Sequence, residues 1–129
     1  MTDLPHERVV TGSERDKFLL LRARAGEGAA DPRVIDLAYR LTARCRQSHD
    51  TQARALHAWV RDTIAYLDER PERFQAAWYT ASNGRGDCDC QTILLGAMAE
   101  ALGLRVEYCA WMGPGRVLTH VCARIERMV

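Results

Sequence analysis

The chain has 129 residues, and its 18 basic side chains almost balance its 17 acidic ones. A chain of this length is typical of one domain, which buries roughly two thirds of the surface that its unfolded form exposes. The hydrophobic fraction is 47% and the charged fraction 27%, and no basic run favours a nucleic acid or a membrane surface as partner. No apolar segment approaches the roughly 18 residues of a spanning helix, so a single cytoplasmic domain over 1–129 is expected.

The cysteines number five, which is an odd count in a chain whose first residues contain no apolar leader segment. A disulfide framework is therefore not expected. Cys45, Cys90 and Cys109 are interpreted as small structural residues, and simple packing is the favoured interpretation of Cys122. The thiol that remains, Cys88, is the candidate for chemistry.

The N-terminal part, about 13–68, is predicted to be helical. Ser13 and Asp16 have the spacing of a capping box, which predicts that a first helix begins there. The same pattern predicts that Gly26 and Gly28 end this helix, because glycine is a poor helix former.

Two further helices are predicted from their start signals and apolar spacing. Asp31 followed by Pro32 is typical of a helix start, and the apolar stripe of this second helix extends to Cys45. A third helix is expected to begin at Asp50, and its stripe at three- and four-residue spacing extends to Leu67. This third segment is the clearest amphipathic helix of the sequence.

The second part of the domain, about 74–126, is predicted to hold the core. The segment Phe74–Gly86 mixes aromatic residues with serine, asparagine and glycine, which favours a loop. A helix over Cys88–Leu102 is apolar on nearly all sides, so it is expected at the centre of the fold, with Gly103 ending it.

A β-hairpin is predicted to follow the central helix. Leu104–Trp111 and Val117–Ile125 have the composition of strands, and the turn signal of residues 113–116 separates them. The expected fold class is therefore α+β: N-terminal helices, a central buried helix that carries a cysteine at its N-terminus, and a small antiparallel sheet.

The sequence Gly86-Asp87-Cys88-Asp89-Cys90 stands where the predicted loop becomes the central helix. The free amides and the dipole at a helix N-terminus favour a thiolate, which is the nucleophilic form of cysteine. The two aspartates oppose this effect, so their side chains are expected to point away from the sulfur. Position alone makes Cys88 a plausible nucleophile.

A nucleophilic cysteine needs a base, and His120 is the best candidate among the four histidines. His6 lies in a polar tail, and His49 lies between two predicted helices. His57 lies beside the apolar stripe of the third helix, where a surface histidine is ordinary. His120 instead lies in the middle of a predicted strand, where a partner across the core is expected.

Two segments of the sequence resemble the transglutaminase-like core. GDCDCQTILLGAMAEALGLRVEY is similar to the family's Gly-Asp-Cys-Asp-Asp helix, and THVCARIE is similar to its histidine strand. Upstream, ALHAWVRDTIAYLDE resembles the tryptophan-bearing helix that precedes this core. The resemblance covers about residues 53–126, and it is strongest to the transglutaminase-like cysteine proteases of bacteria and phages, which implies a papain-like core.

The resemblance implies a nucleophile at Cys88 and a general base at His120. The implied chemistry is peptide hydrolysis or acyl transfer through a thioester, with hydrolysis favoured, on a peptide or protein substrate and without a cofactor. The backbone N–H of Cys88 would hold the oxyanion together with one more donor. Gln75, Trp78 and Tyr79 are the candidates for that donor.

The sequence departs from the family pattern at two points. Cys90 replaces the second aspartate of the motif, and no aspartate follows Asp89, whereas the family has an orienting aspartate on a strand after the histidine. Three explanations stay open: the sequence stops before that strand, Glu126 or a backbone carbonyl orients the imidazole of His120, or the domain is catalytically weak.

Three rival hypotheses stand beside the catalytic one. A transglutaminase-like binding or assembly domain without turnover is the most serious, because the aspartate is missing. A zinc site is the second, since its ligand types are present in Cys88, Cys90, His120 and Cys122. A reversible disulfide between Cys88 and Cys90 is the third, although redox pairs usually have one more residue between the thiols.

Overall fold

A computed structural model describes residues 7–9, 13–45, 48–67, 73–112 and 118–126. These ranges form an α+β fold, as predicted. Its five helices are α1 (Glu14–Ala29), α2 (Pro32–Leu41), α3 (His49–Thr63), α4 (Ala77–Asn83) and α5 (Cys88–Ala101). Its strands are β1 (Glu7–Val9), β2 (Ala65–Tyr66), β3 (Arg73–Gln75), β4 (Arg85–Gly86), β5 (Arg105–Met112) and β6 (Leu118–Glu126).

Helix α5 is the centre of the molecule, as its composition predicts. Ten of its 14 residues are buried, and the other helices and the β5–β6 hairpin pack around it. Ile93, Leu94 and Met98 are fully buried and anchor the core. Each such side chain contributes about 1.5–3 kcal/mol by leaving water. The helix ends before Gly103, whose φ of 78° is the left-handed conformation that glycine adopts without strain.

Helix α1 begins as predicted but does not end at Gly26 or Gly28. The Ser13 hydroxyl accepts from the Asp16 amide, which completes the capping box, and the helix continues to Ala29. A Cβ at Gly28 would lie 2.8 Å from the Cβ atoms of Ala77 and Ala97. The glycine therefore permits α1 to approach α4 and α5 closely, and this packing outweighs its low helix propensity.

The second and third helices are shorter than their apolar stripes predict. Asp31 caps α2 and Pro32 is its first residue, as predicted, but the helix ends at Leu41, before Cys45. Helix α3 begins one residue earlier than predicted, with Ser48 as its cap, and ends at Thr63. Residues 65 and 66 form β2 instead, which pairs in parallel with β4.

The prediction of a loop over Phe74–Gly86 is wrong. The segment contains β3, α4 and β4, and Phe74 and Gln75 are almost fully buried. Strand β3 pairs with β1 in antiparallel orientation. The serine, asparagine and glycine that favoured a loop instead end α4, where Gly84 has a φ of 75°.

The hairpin of β5 and β6 is the longest sheet element of the described chain, and it confirms the predicted pair of strands. Their antiparallel register is continuous from the pair Arg105–Glu126 to the pair Trp111–His120. Val121 is buried against the core, whereas Trp111 is exposed. The predicted turn at residues 113–116 lies outside the described residues. None of the helices that the structure describes has the length and hydropathy needed to cross a membrane.

Candidate active site

Cys88 is the first residue of α5, directly after the cap that Asp87 supplies. The Asp87 carboxylate accepts a hydrogen bond of 3.0 Å from the Cys90 amide. One turn into the helix, the Gln91 side chain donates to the carbonyl of Gly86 at 3.2 Å. These two bonds fix the junction between β4 and α5, so they hold the backbone that presents Cys88.

The sulfur of Cys88 lies against β6. The backbone N–H of Val121 hydrogen-bonds to it, and one turn further along α5 the Thr92 hydroxyl donates to the Val121 carbonyl at 3.4 Å. Both of these hydrogen bonds between the first two turns of α5 and β6 therefore involve the same strand residue, Val121. His120 directly precedes that residue and pairs with Trp111, but its side chain lies outside the described part of the structure.

The surroundings of Cys88 raise its pKa above the usual value of a thiol. Partial burial is the largest cause, and the charge of Asp89 is the next. The amides of Val121 and Asp89 favour the thiolate but do not offset these causes. The Asp89 carboxylate lies 4.0 Å from the sulfur, so it does not point away as predicted, whereas Asp87 does cap an amide.

A cleft of about 580 Å³ opens beside Cys88, between α3, α5 and β6. One wall of the cleft is formed by Cys88, Gln91 and Thr92 of α5, and another by residues 121–123 of β6. The third wall belongs to α3 and to the chain that follows it. Cys88 therefore combines partial burial with access to a hollow of the size that small-molecule and peptide sites commonly have.

Cys90 lies on the other side of the helix start. It is fully buried, and its sulfur accepts the backbone N–H of Gln75 at 3.5 Å. A Cβ at Gly86 would lie only 2.7 Å from the Cβ of Cys90, so the chain is closely packed there. The placement argues against a disulfide between Cys88 and Cys90, because the two side chains contact different parts of the fold.

The three candidate oxyanion donors do not line the Cys88 cleft. Gln75 is buried, and the Oε1 of its side-chain amide accepts from the Thr80 hydroxyl at 2.8 Å. The ring of Trp78 lies 4.0 Å below the guanidinium of Arg33 and makes an edge contact with Tyr79. These side chains stabilise α4 and its contact with α2, and their role at the site remains the prediction of the resemblance.

His57 is a residue of the cleft that the sequence patterns did not single out. It is exposed on α3, and it lines the same hollow as Cys88. The sequence feature that could have indicated this role is its spacing: His57 lies three residues before the buried Val60, at the edge of the apolar face of α3. Only the packing of α3 against α5 brings this histidine to the cleft that β6 also borders.

The remaining cysteines are reduced, and the described side chains include no metal cluster. Cys45 follows α2 and is half-buried. Cys109 and Cys122 are opposite each other in the hairpin, and both are partly exposed. The pKa of the Cys122 thiol is raised above its usual value, mainly by burial and next by the neighbouring Cys109 thiol. Among residues with described side chains, no three histidine, cysteine or carboxylate groups come together as metal ligands, and Cys90 is turned away from the proposed zinc set.

Among the comparisons with known proteins, one family model matches this chain. The family model described as the transglutaminase-like superfamily matches residues 35–123, which is more than half of the chain. No curated protein matches the chain, and neither does any solved structure.

Proposed function

The chain belongs to the transglutaminase-like superfamily, and we propose that it performs amide chemistry on peptides or proteins with Cys88 as nucleophile. One observation carries the proposal: the sulfur of Cys88 lies at a helix start, on an open cleft and in contact with the strand residue after His120. A buried structural thiol, such as that of Cys90, has no such access.

The proposed reaction begins with a proton transfer. His120 takes the thiol proton, and the thiolate attacks the carbonyl carbon of an amide to form a tetrahedral intermediate. A base is needed because burial and Asp89 keep the pKa of Cys88 above its usual value. The backbone N–H of Cys88, which is free of intrahelical bonding at the first helix position, stabilises the oxyanion.

The intermediate collapses when His120 returns the proton to the leaving amine. The C–N bond breaks and a thioester on Cys88 remains. Water then releases a carboxylic acid, or a second amine takes the acyl group, and each route regenerates the thiol. We propose hydrolysis as the main route, on the basis of the resemblance to bacterial and phage transglutaminase-like proteases.

Capture of the thioester tests this function. The protein is incubated with a peptide library, quenched in acid and measured by intact mass, with and without an added primary amine. We expect an acyl adduct on Cys88, and products of the amine only if transfer occurs. The Cys88→Ala variant should form no adduct, whereas the matched Cys90→Ala variant should retain it. An adduct that persists in Cys88→Ala, or its absence from every peptide tested, would refute the proposal.

A binding domain without turnover is the second candidate, and the raised pKa of Cys88 favours it. Such a domain would use the same cleft but would hold its thiol protonated near neutral pH. Peptide binding without a thioester adduct, together with slow alkylation of Cys88, would support this candidate over the catalytic one.

A further inference from the structure

Two cysteines lie directly opposite each other in the hairpin of β5 and β6. Cys109 of β5 pairs with Cys122 of β6, inside the stretch where the antiparallel register is continuous. The N–H and the C=O of Val121 bind Cys88 and Thr92 of α5, so both groups point away from β5. Because this direction alternates along a strand, the next residue, Cys122, directs its backbone groups toward β5, and its pair with Cys109 is hydrogen-bonded, with a Cα–Cα distance of about 5.5 Å. This spacing lies in the commonest range for disulfides.

The two thiols also point to the same face of the hairpin and contact each other. Directly opposed residues of an antiparallel pair project to one side of the sheet. The thiols of Cys109 and Cys122 form a hydrogen bond with each other. An S–S bond between them therefore requires the rotation of two side chains and no rearrangement of the backbone.

The face that carries these thiols is not the core face of the hairpin. Tyr108 and Val121, their neighbours along the strands, pack with the core cluster. Because side chains alternate along a strand, the two thiols project to the other side. Cys109 and Cys122 are both partly exposed, whereas Cys90, which packs in the core, is fully buried. Core packing therefore does not explain the opposed pair, and a small oxidant can reach it.

We propose that Cys109 and Cys122 are a redox modification site, which a small-molecule disulfide such as oxidised glutathione converts to a reversible cross-strand disulfide. One cysteine thiolate attacks the glutathione disulfide, so a mixed disulfide forms and one glutathione leaves as a thiolate. The second cysteine thiolate attacks the protein sulfur of that mixed disulfide and releases the other glutathione. The protein loses two protons and two electrons, and the electrons reduce glutathione disulfide to two thiols. A partly exposed disulfide is of the labile kind, so reduced glutathione reverses the reaction.

The disulfide would fix the strand against which the Cys88 sulfur lies. Cys122 directly follows Val121, whose N–H binds that sulfur, and it borders the same cleft. A covalent bond at this position restricts the unfolded chain, so oxidation is expected to raise the thermal unfolding midpoint by about 5–10 °C. The opposed pair takes no part in the reaction proposed for Cys88, so the inference does not depend on the proposed function.

Oxidation in glutathione buffers tests the proposal on the native full chain. The reduced protein is equilibrated without oxygen at increasing ratios of oxidised to reduced glutathione, quenched in acid and measured by intact mass. We expect a loss of about 2 Da, the mass of two hydrogen atoms, at ratios about tenfold lower than those that add glutathione to Cys45, because the second step is intramolecular. Dithiothreitol should restore the original mass.

Digestion with trypsin locates the bond, because arginines separate the cysteines along the chain. Residues 106–116 carry Cys109, and residues 117–124 carry Cys122. The two cysteines at the start of α5 lie together in residues 86–105. The expected product without reductant joins the first two of these peptides.

Matched variants connect the bond to the two thiols. Cys109→Ser and Cys122→Ser should each abolish the mass loss and the rise in the unfolding midpoint. Cys45→Ser is the control, since Cys45 follows α2 and lies outside the hairpin, and it should retain both effects. Circular dichroism checks that each variant is folded, and Cys122→Ala replaces Cys122→Ser if the hydroxyl disturbs the strand.

Three outcomes overturn the proposal. A mass loss that persists in Cys122→Ser, or a cross-link that involves residues 86–105, would assign the oxidation to other cysteines. Formation of the bond in urea but not in native buffer would show that the folded hairpin does not hold the thiols in bonding geometry. Mixed disulfides with glutathione that never resolve to the internal bond would show the same. Each of these outcomes can be observed whether or not Cys88 forms a thioester.

Discussion

The two sides of the start of α5 differ sharply, although the cysteines that mark them are only two residues apart. On the open side, Cys88 contacts Val121 of β6 and borders a cleft. On the closed side, Cys90 is fully buried beneath Gly86 and accepts the amide of Gln75. The difference teaches that a motif with two thiols can separate reactivity from packing within one helical turn, because residues two apart project roughly 200° apart around the helix axis and so face different neighbours.

The largest expected effect is on the open side and concerns the base. His120→Ala should reduce turnover by about 10²–10⁴, the usual contribution of a general base, and should slow the alkylation of Cys88 by iodoacetamide near pH 7. His57→Ala is the matched control, since His57 lines the same cleft, and it should change both rates less than about tenfold. If His57→Ala reduced turnover more than His120→Ala did, the general base would be His57 of α3 and not His120.

An intermediate effect is expected on the closed side. Gly86→Ala should lower the free energy of unfolding by about 1–3 kcal/mol, because its Cβ would lie 2.7 Å from the Cβ of Cys90, which the backbone holds in place. The matched control is Gly26→Ala on α1. No atom lies within 4 Å of a Cβ at that position, so this change should stabilise the helix by about 0.5–1 kcal/mol. Urea denaturation measures both, and a neutral Gly86→Ala would show that the closed side is not tightly packed.

The smallest effect concerns the charge beside Cys88. Asp89→Asn should lower the pKa of the Cys88 thiol, because it removes a negative charge that opposes the thiolate. The pH profile of iodoacetamide labelling should therefore move toward lower pH. Asp36→Asn, in an exposed ion pair on α2, is the control and should leave the profile in place. A shift toward higher pH would mean that Asp89 aids ionisation, contrary to its position 4.0 Å from the sulfur.

Much of the fold could be predicted from local patterns. The caps at Ser13 and Asp31, the buried central helix and its end before Gly103 all follow from residues close together in the chain. The prediction failed where tertiary packing overrides propensity. Gly28 remains helical because α1 needs a close approach to α5, and the segment after Phe74 is ordered because it packs against the core.

The sequence by itself determined that Cys88 begins the central helix, since the aspartate cap and the apolar run are both local. It also determined that His120 lies in the strand pair that follows. Only the tertiary structure decided which surfaces surround them. The Cys88 sulfur accepts a hydrogen bond from Val121, Cys90 is buried, and His57 lines the cleft. Each of these features depends on contacts between elements that are far apart in the chain. Local periodicity cannot specify such contacts, because they depend on how helices and strands pack against one another.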